Sequence, residues 1–541
     1  MPQPEPHQIP PPEPAPKEAP QPSQSAFAPL KIPDYRLLWG TWLVANICMW
    51  MNDVAAAWLM TSMTTSPLLV ALVQTAATLP VFLLGLPSGA LADILDRRRY
   101  YLFTQIWVAV VSILLSITIL VGAMTPVLLL ALLFVNGVGL AMRWPVNAAI
   151  VPELVPRAQL PSALALNGVA MNASRIIGPL IAGAIIAGLG SAYVFVLNAA
   201  LTIAISFVIM RWKREHVPHP LGRERLFSAI RVGVQYVSQS ARLKAVLLRI
   251  FLFFLNSTST MALLPLIARG LEGGNAQTFT LLLASMGAGA IFSAVLLPRL
   301  RQTISRDPLV WYGTVTHAIS TAIVAFAPNV YIAAAGMFLS GMAWLATANS
   351  LSVSAQLALP DWVRARGMAM YQMGIMGGGA LGAALWGQVA SMATVNTSLA
   401  ISAVSGVICM FLAQRYVGDR SIEEDLTPLR TFRLPVAVDT PKKGNVLITL
   451  EYRIDPSRAA DFRKLMQESR RSRLRQGALS WDLLHDISEP GRFIEQIVDE
   501  SWTEHLRRFD RVTASDVDLR ERKLAFHISE TPPVVTRYVI D

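Results

Sequence analysis

A few ionisable residues lie deep inside long apolar runs of this chain, among them Asp53, Arg143, Arg175 and His317. A charged side chain at the centre of a bilayer costs about 2.5–3.5 kcal/mol on insertion scales, so each is a candidate for function rather than packing. A carboxylate beside a guanidinium in such a place can take up and release a proton as its surroundings change. That is the chemistry of proton coupling, with Asp53 as the carrier and Arg175 or Arg143 as counter-charge. At ~1.5 Å per residue from the charged helix ends, Asp53 lies about 24 Å deep, Arg175 about 20 Å and Arg143 about 10 Å, the last within snorkelling reach of the interface. Depth therefore favours an Asp53–Arg175 pair; the bland alternative is a static ion pair fastening two helices. Polar and aromatic residues at intermediate depth could line a solute pocket: Asn46, Trp50, Asn136, Trp144, Asn147, Asn167, Asn172, Asn256, Trp344, Asn349, Tyr371 and Gln372. Aromatic faces with amides suit an aromatic, amphipathic solute, although each amide could equally bond helix to helix.

The elements that position these residues are apolar segments of about 20 residues, long enough to span ~30 Å of hydrocarbon. They run at 37–60, 67–91, 100–121, 126–150, 162–187 and 191–210, then at 246–269, 277–298, 309–328, 330–355, 367–391 and 395–416. Lipid offers no partner to a backbone amide, so they must be helices. The fold class is thus an all-α polytopic membrane protein of twelve transmembrane helices in two six-helix halves, plus a small C-terminal α+β domain. The chain of 541 residues is 53% hydrophobic and only 15% charged, against about 25% charged in soluble domains. Cys48 and Cys409 both sit in apolar segments, which suggests no disulfide framework or thiolate metal site. The N-terminus shows no secretory signal pattern.

Charge alternates between the connections. Arg97, Arg98 and Arg99 follow the second segment, a strongly basic loop follows the sixth, Arg299, Arg301 and Arg306 follow the eighth, and Arg364 and Arg366 follow the tenth. The opposite loops lack Lys and Arg except for Arg269. The positive-inside rule places both termini in the cytoplasm, with the chain multi-pass in the cytoplasmic (inner or plasma) membrane. The net charge of +11 is explained by these loops, so no nucleic-acid partner is implied.

The domain boundaries follow: a Pro-rich cytoplasmic tail at 1–33, disordered on composition; a first half at 34–210; a basic loop at 211–245; a second half at 246–416; a linker at 417–444; a soluble domain at 445–530; and a tail at 531–541. Shifting the chain on itself by 204 residues aligns Gly85 with Gly289, Gly137 with Gly341, Gly178 with Gly382 and Gly183 with Gly387. Two halves of equal orientation make a parallel repeat, which places a substrate path near the midplane between them.

The segment from Gly89 to Arg99, Gly-Ala-Leu-Ala-Asp-Ile-Leu-Asp-Arg-Arg-Arg, resembles the signature loop of the major facilitator superfamily through Gly89, Asp93, Arg97 and Arg98; Ile94 and Asp96 depart from it. The resemblance implies a charge network at the gate that breaks when the halves rock. Tyr35-Arg36-Leu37-Leu38-Trp39 leading to Asn52-Asp53, Ser66-Pro67, Leu79-Pro80, the run from Pro152 to Pro156, and Gly178-Pro179 together resemble the enterobactin-exporter-like secretion transporters of that superfamily. Gly168, Gly178, Pro179 and Gly183 also resemble part of the fifth-helix signature of antiporters, where Gly178-Pro179 would bend the helix. Leu133 stands where the superfamily's fourth-helix pattern has Arg, which puts that proton-coupling device in doubt.

Beyond 445 the pattern alternates: a strand at 446–453, a helix at 456–476, a hairpin at 478–500, a helix at 501–510 and a last strand at 523–528. That βαββαβ order suggests a ferredoxin-like sandwich. With Gly477-Ala478, Trp481, Phe493 and the Trp502–Leu506 run, it resembles the dimeric α/β-barrel domains of the antibiotic-biosynthesis-monooxygenase type. His505 is there read as a structural or dimer contact rather than a catalyst.

These readings converge on a secondary active transporter exporting a small organic molecule, a siderophore or amphipathic drug-like compound by resemblance, against inward proton movement. Protons, the lipid bilayer and the solute are its partners, and a homodimer could form through the C-terminal domain. No cofactor, catalytic residue or metal ligand set is indicated, and the chain is not read as an enzyme. The alternative is a membrane-tethered enzyme or ligand sensor acting through 445–530.

Overall fold

The computed structural model describes residues 27–156, 159–212, 226–360, 362–416, 425–427 and 444–540. The Pro-rich segment before residue 27, residues 213–225 of the central basic loop and most of the 417–444 linker lie outside the described residues. The first half comprises α1 (Pro33–Met63), α2 (Pro67–Ile94), α3 (Arg97–Leu120), α4 (Pro126–Leu154), α5 (Leu160–Gly188) and α6 (Ser191–Arg211). After α7 (Leu226–Gln239) the second half follows as α8 (Ala241–Gly270), α9 (Ala276–Thr303), α10 (Arg306–Ala325), α11 (Val330–Leu357), α12 (Arg364–Met392) and α13 (Val395–Tyr416). Among the described residues, ten of these, all but α7, α10 and α12, are long and apolar enough to cross a membrane. Polar His317 and Ser320 dilute α10, and Gly377, Gly378 and Gly379 dilute α12.

The two halves repeat one packing plan. In the first, α1 packs on α5 and α6, α2 on α4, and α3 on α4 and α6; in the second, α8 packs on α12 and α13, α9 on α11, and α10 on α11 and α13. Three of the four glycine pairs at the offset of 204 mark equivalent contacts; Gly85, against Met373 of α12, and Gly289, against Phe338 of α11, do not. A Cβ on Gly137 would press on the Ala77 carbonyl of α2, and one on Gly341 would overlap the Met286 carbonyl of α9. Gly183 of α5 meets Thr280 of α9, as Gly387 of α12 meets Ala71 of α2. The halves touch along these last two seams, where small residues let backbones approach closely. Thr75 donates to the Ala380 carbonyl across the α2–α12 seam at 2.9 Å.

Two features of the central loop and tail depart from the sequence reading. The loop contains the helix α7, whose apolar Val232 and Tyr236, four residues apart, are buried; this amphipathic stripe is hidden by the basic residues around it. In place of the predicted last strand at 523–528, a helix opened by a Thr513–Asp516 capping box ends at Leu524 and is followed by a turn and a single bridge from His527 to Ile454.

The C-terminal domain runs β1 (Asn445–Arg453), α14 (Ala459–Arg475), β2 (Ser480–His485), β3 (Arg492–Asp499), α15 (Trp502–Asp510), α16 (Ala514–Leu524) and β4 (Val534–Ile540). Its antiparallel sheet has the order β2-β3-β1-β4. Alternation along β3 sends Phe493, Glu495, Ile497 and Asp499 inward. Buried Glu495 accepts from Trp481 at 2.9 Å, Ser469 at 2.7 Å and Tyr452 at 3.1 Å, and pairs with Lys523 at 3.3 Å. Burial alone would raise its pKa, but the charges of Lys523 and Arg473 and the Trp481 and Ser469 bonds hold it well below the carboxylate range.

The domain docks on α7 and the loop between α11 and α12. Arg231 pairs with Glu500 at 2.8 Å and donates to the Gly477 carbonyl, while Gln235 donates to the Ala478 carbonyl. Arg511 lies over the Trp362 ring at 5.1 Å.

Two outcomes follow from this packing. Gly341→Ala should lower stability by about 1–3 kcal/mol, because backbone on both sides of the contact cannot yield; an unchanged melting temperature in detergent would contradict that. Glu495→Gln should destabilise the C-terminal domain by about 3–5 kcal/mol, since it strands Lys523 in the core. The native Glu495 pKa lies below its ordinary 4.5. Its contribution is therefore complete above about pH 4.5 and lost as pH falls further, which an acid titration of wild type against Glu495→Gln would show as a difference that closes at low pH.

Candidate functional site

A charged group in the middle of the bundle lies between the halves. Arg175 is the sixteenth residue of α5, about 22 Å along it at ~1.5 Å per residue, and therefore central in a helix that spans the bundle. Its guanidinium stacks 5.3 Å from the Trp50 ring of α1 and 4.3 Å from the Trp344 ring of α11. Trp50 belongs to the first half and Trp344 to the second, so one cation bridges them through two aromatic faces. Each such contact is worth up to about 2 kcal/mol when desolvated. Gly178 makes the approach possible: a Cβ there would lie 2.5 Å from that of Trp50. Arg175 Nε, Arg175 Nη1 and Trp50 Nε1 are buried without a hydrogen-bond acceptor among the described residues. Three unmet donors on neighbouring side chains form a place for an acceptor-rich, anionic group.

The expected ion pair between Asp53 and Arg175 is not present. The two tryptophan faces take the guanidinium instead, and Asp53 makes no ion pair or hydrogen bond among the described residues. Asp53 lies one turn from Trp50, on the same side of α1. Arg143 does not snorkel. It is buried against α1, donating to the Ala45 carbonyl at 3.3 Å and lying 5.5 Å over Trp42. His317 faces Ser340 and Thr321, both at 3.3 Å, and Phe253.

Of the other pocket candidates, several are committed to the fold. Asn256 bonds the Leu252 carbonyl and Ser405, Asn172 the Gly168 carbonyl, Asn349 the Arg301 guanidinium and Tyr371 the Ala348 carbonyl. Asn46 donates to the Trp42 carbonyl, but its Oδ1 and that of Asn136 are buried without a donor. Trp144, Asn147, Asn167 and Gln372 are half-buried and are not joined to the Arg175 stack by any bond among the described residues.

At the loop after α2, Arg97 pairs with Glu153 at the end of α4 at 2.6 Å, and Arg98 donates to the Ile209 and Met210 carbonyls at the end of α6. The Asp93 side chain lies outside the described residues; Gly89 lies against Pro145. Sequence reasoning missed Glu153 and the Arg249–Asp307 pair at 2.9 Å, in which Arg249 is buried. An Arg three residues inside the seventh apolar segment was the available signal.

The apolar clusters show which end is sealed. At the end away from the C-terminal domain, Met51, Val54, Leu264, Phe279, Leu282 and Met337 of both halves form one cluster. Trp58 stacks on Phe279 there, with Arg269 over Trp58 at 4.8 Å, which explains the lone basic residue on that side. At the other end Leu38, Tyr101 and Ile209 cluster within the first half, and Leu243, Leu351 and Val363 within the second.

Known proteins share this architecture. The chain is 22% identical to the staphyloferrin A transporter of Staphylococcus aureus over 60% of its length and 81% of that protein. It is 25% identical to the enterobactin exporter EntS of Salmonella typhimurium, over 61% of this chain and 80% of that one. Among solved structures, the nucleoside transporter NupG covers 72% of the chain with a TM-score of 0.58 at 13% identity, and is itself covered completely. The inward-facing, unoccupied bacterial homologue of the lysosomal transporter Spinster superposes with a TM-score of 0.54 at 13% identity, over 71% of this chain and 96% of that one. The sequence profile described as transmembrane secretion effector matches residues 24–541, C-terminal domain included. The chain therefore belongs to the transmembrane secretion effector family of major facilitator transporters.

Proposed function

We propose that this transporter exports a small organic anion with an aromatic or otherwise flat body, and that Arg175 receives its acidic group between Trp50 and Trp344. The observation that carries this is the set of three buried, unmet donors on Arg175 and Trp50 at the seam between the halves. A solute that withdraws the guanidinium from Trp344 would loosen the contact between halves, so binding and rocking share one element. The names of the relatives, an enterobactin exporter and a staphyloferrin A transporter, support siderophore-type solutes, and the first of them supports the outward direction. A macrolide efflux protein of Streptococcus pyogenes, 23% identical over 48% of this chain, supports drug-like ones.

In this reading Asp53 carries the coupling proton, one helical turn from the solute site, and Arg143 is a fixed brace on α1. Helices α10 and α12 complete twelve spans, both termini lie in the cytoplasm, and Arg97 with Arg98 ties the gate-side ends of α4 and α6 to the loop after α2. The strand order β2-β3-β1-β4 supports a ferredoxin-like C-terminal domain, through which two copies could pair. A tethered-enzyme reading is not favoured, because the family and its relatives are transporters.

The test is export from proteoliposomes with an imposed pH gradient, using carboxyfluorescein, enterobactin and staphyloferrin A as probes. Arg175→Gln should slow export of whichever probe moves by at least about tenfold, the loss of one charged hydrogen bond; unchanged flux would refute the anion site. Asp53→Asn should abolish the dependence on the pH gradient while leaving the protein folded. Gradient-driven flux equal to wild type would remove Asp53 from coupling without touching the Arg175 assignment.

A further inference from the structure

The C-terminal domain contains a second polar cavity, remote from the seam between the halves. It holds about 230 Å³ between the inner face of the sheet and the helices α14, α15 and α16. That is smaller than the ~300 Å³ at which drug-sized pockets begin, so its occupant is a small molecule. Ile448, Leu450, Ile497, Phe509 and Val535 provide an apolar wall. Against it stand five cationic side chains: Arg473, Arg508, Arg520, Lys523 and Arg537.

The carboxylates nearby are already engaged. Glu495 holds Lys523, Trp481, Ser469 and Tyr452. Asp499 accepts from Arg508 at 3.0 Å and from His505 at 2.8 Å. Asp516 is the cap of α16, bonded to Thr513. Burial lowers the pKa of His505 despite Asp499, so it stays neutral. Its Nδ1–H then donates to Asp499, and its Nε2 accepts from Arg537 Nε at 3.2 Å. Arg473 shares Glu495 with Lys523, through its Nε at 3.6 Å, while Arg537 has no carboxylate partner among the described residues. The terminal nitrogens of Arg473 and Arg537 make no hydrogen bond among the described residues.

A further group is unmet. Gln476 is 4% exposed, lines this cavity, and its Oε1 has no donor. A buried acceptor without a donor costs about 1–3 kcal/mol, and a hydroxyl on a bound molecule would remove that cost. We propose that this cavity is a binding site for a small aromatic carboxylate of the salicylate type, its acid held by Arg473 and Arg537 and its hydroxyl donating to Gln476.

The site is wired to the membrane domain. The Gln476 carbonyl accepts from Arg511 at 2.7 Å, and Arg511 stacks on Trp362. The next two carbonyls, of Gly477 and Ala478, accept from Arg231 and Gln235 of α7. Occupancy is therefore felt one residue from the contact that docks the domain, which makes the cavity an effector site for the transporter.

Calorimetric titration of the full chain in detergent with salicylate, and with its neutral amide salicylamide, tests this independently of any transport assay. Salicylate should bind with a stoichiometry of one per chain and the amide at least about tenfold more weakly, the charged hydrogen bond being lost. Arg537→Gln, on an exposed edge strand, and Gln476→Leu should each weaken salicylate about tenfold without moving the melting temperature, while Arg175→Gln should bind as wild type. Equal affinity for acid and amide, or full affinity in both tail variants, would overturn the site. So would loss of binding in Arg175→Gln, or no saturable salicylate signal at millimolar concentration.

Discussion

A guanidinium in the middle of an apolar bundle must be matched, and the rest of this structure is arranged around how Arg175 is matched. Among the described residues no carboxylate neutralises it. Two tryptophan faces, one from each half, take the cation while leaving its Nε and Nη1 without an acceptor. An ion pair would satisfy the arginine and close the site to a solute. Aromatic faces stabilise the charge without using its hydrogen-bond donors, so the group stays available for an anion. Because Trp344 belongs to the second half, the same contact also fastens the halves at mid-depth.

The seams between the halves permit movement around that point. Along α2–α12 and α5–α9 glycines meet either small side chains, as Gly387 meets Ala71, or apolar ones, as Gly377 meets Phe82 and Gly287 meets Ile176, and Thr75 makes a polar bond across the first seam. Such surfaces can slide or tilt at low cost, since little specific bonding must be broken. Sealing comes instead from apolar residues pooled from both halves at the end away from the C-terminal domain. At the near end each half keeps its own cluster, with α7 and the docked domain lying beside it. That asymmetry fits an alternating-access machine caught closed on one side.

Much of this was legible in the sequence, for identifiable reasons. Hydrocarbon thickness sets segment length, so ten of the twelve apolar runs correspond to helices long and apolar enough to cross a membrane, and three of the four glycine pairs at an offset of 204, Gly137 with Gly341, Gly178 with Gly382 and Gly183 with Gly387, make equivalent contacts. Arg175 stood out because a charge at its depth is costly. Its partners were not legible, because Trp344 is remote in sequence and a tryptophan carries no sign of charge to search for; Asp53 did, and drew the expectation of an ion pair. The helix α7 was masked by flanking basic residues, although Val232 and Tyr236 have helical spacing. The final strand was misplaced because the Thr513–Asp516 cap was overlooked and the β-branched run Val534–Ile540 was taken for a tail.

The account rests on Arg175 being a receptor for an anion rather than a rivet between halves. The most direct measurement is a cryo-electron microscopy structure of the full chain with the transported probe bound. An acidic group of the probe within hydrogen-bonding distance of Arg175 Nε and Nη1, with Trp344 displaced from the guanidinium, is the result this account predicts. A probe bound elsewhere, with the Trp50–Arg175–Trp344 stack intact, would contradict it.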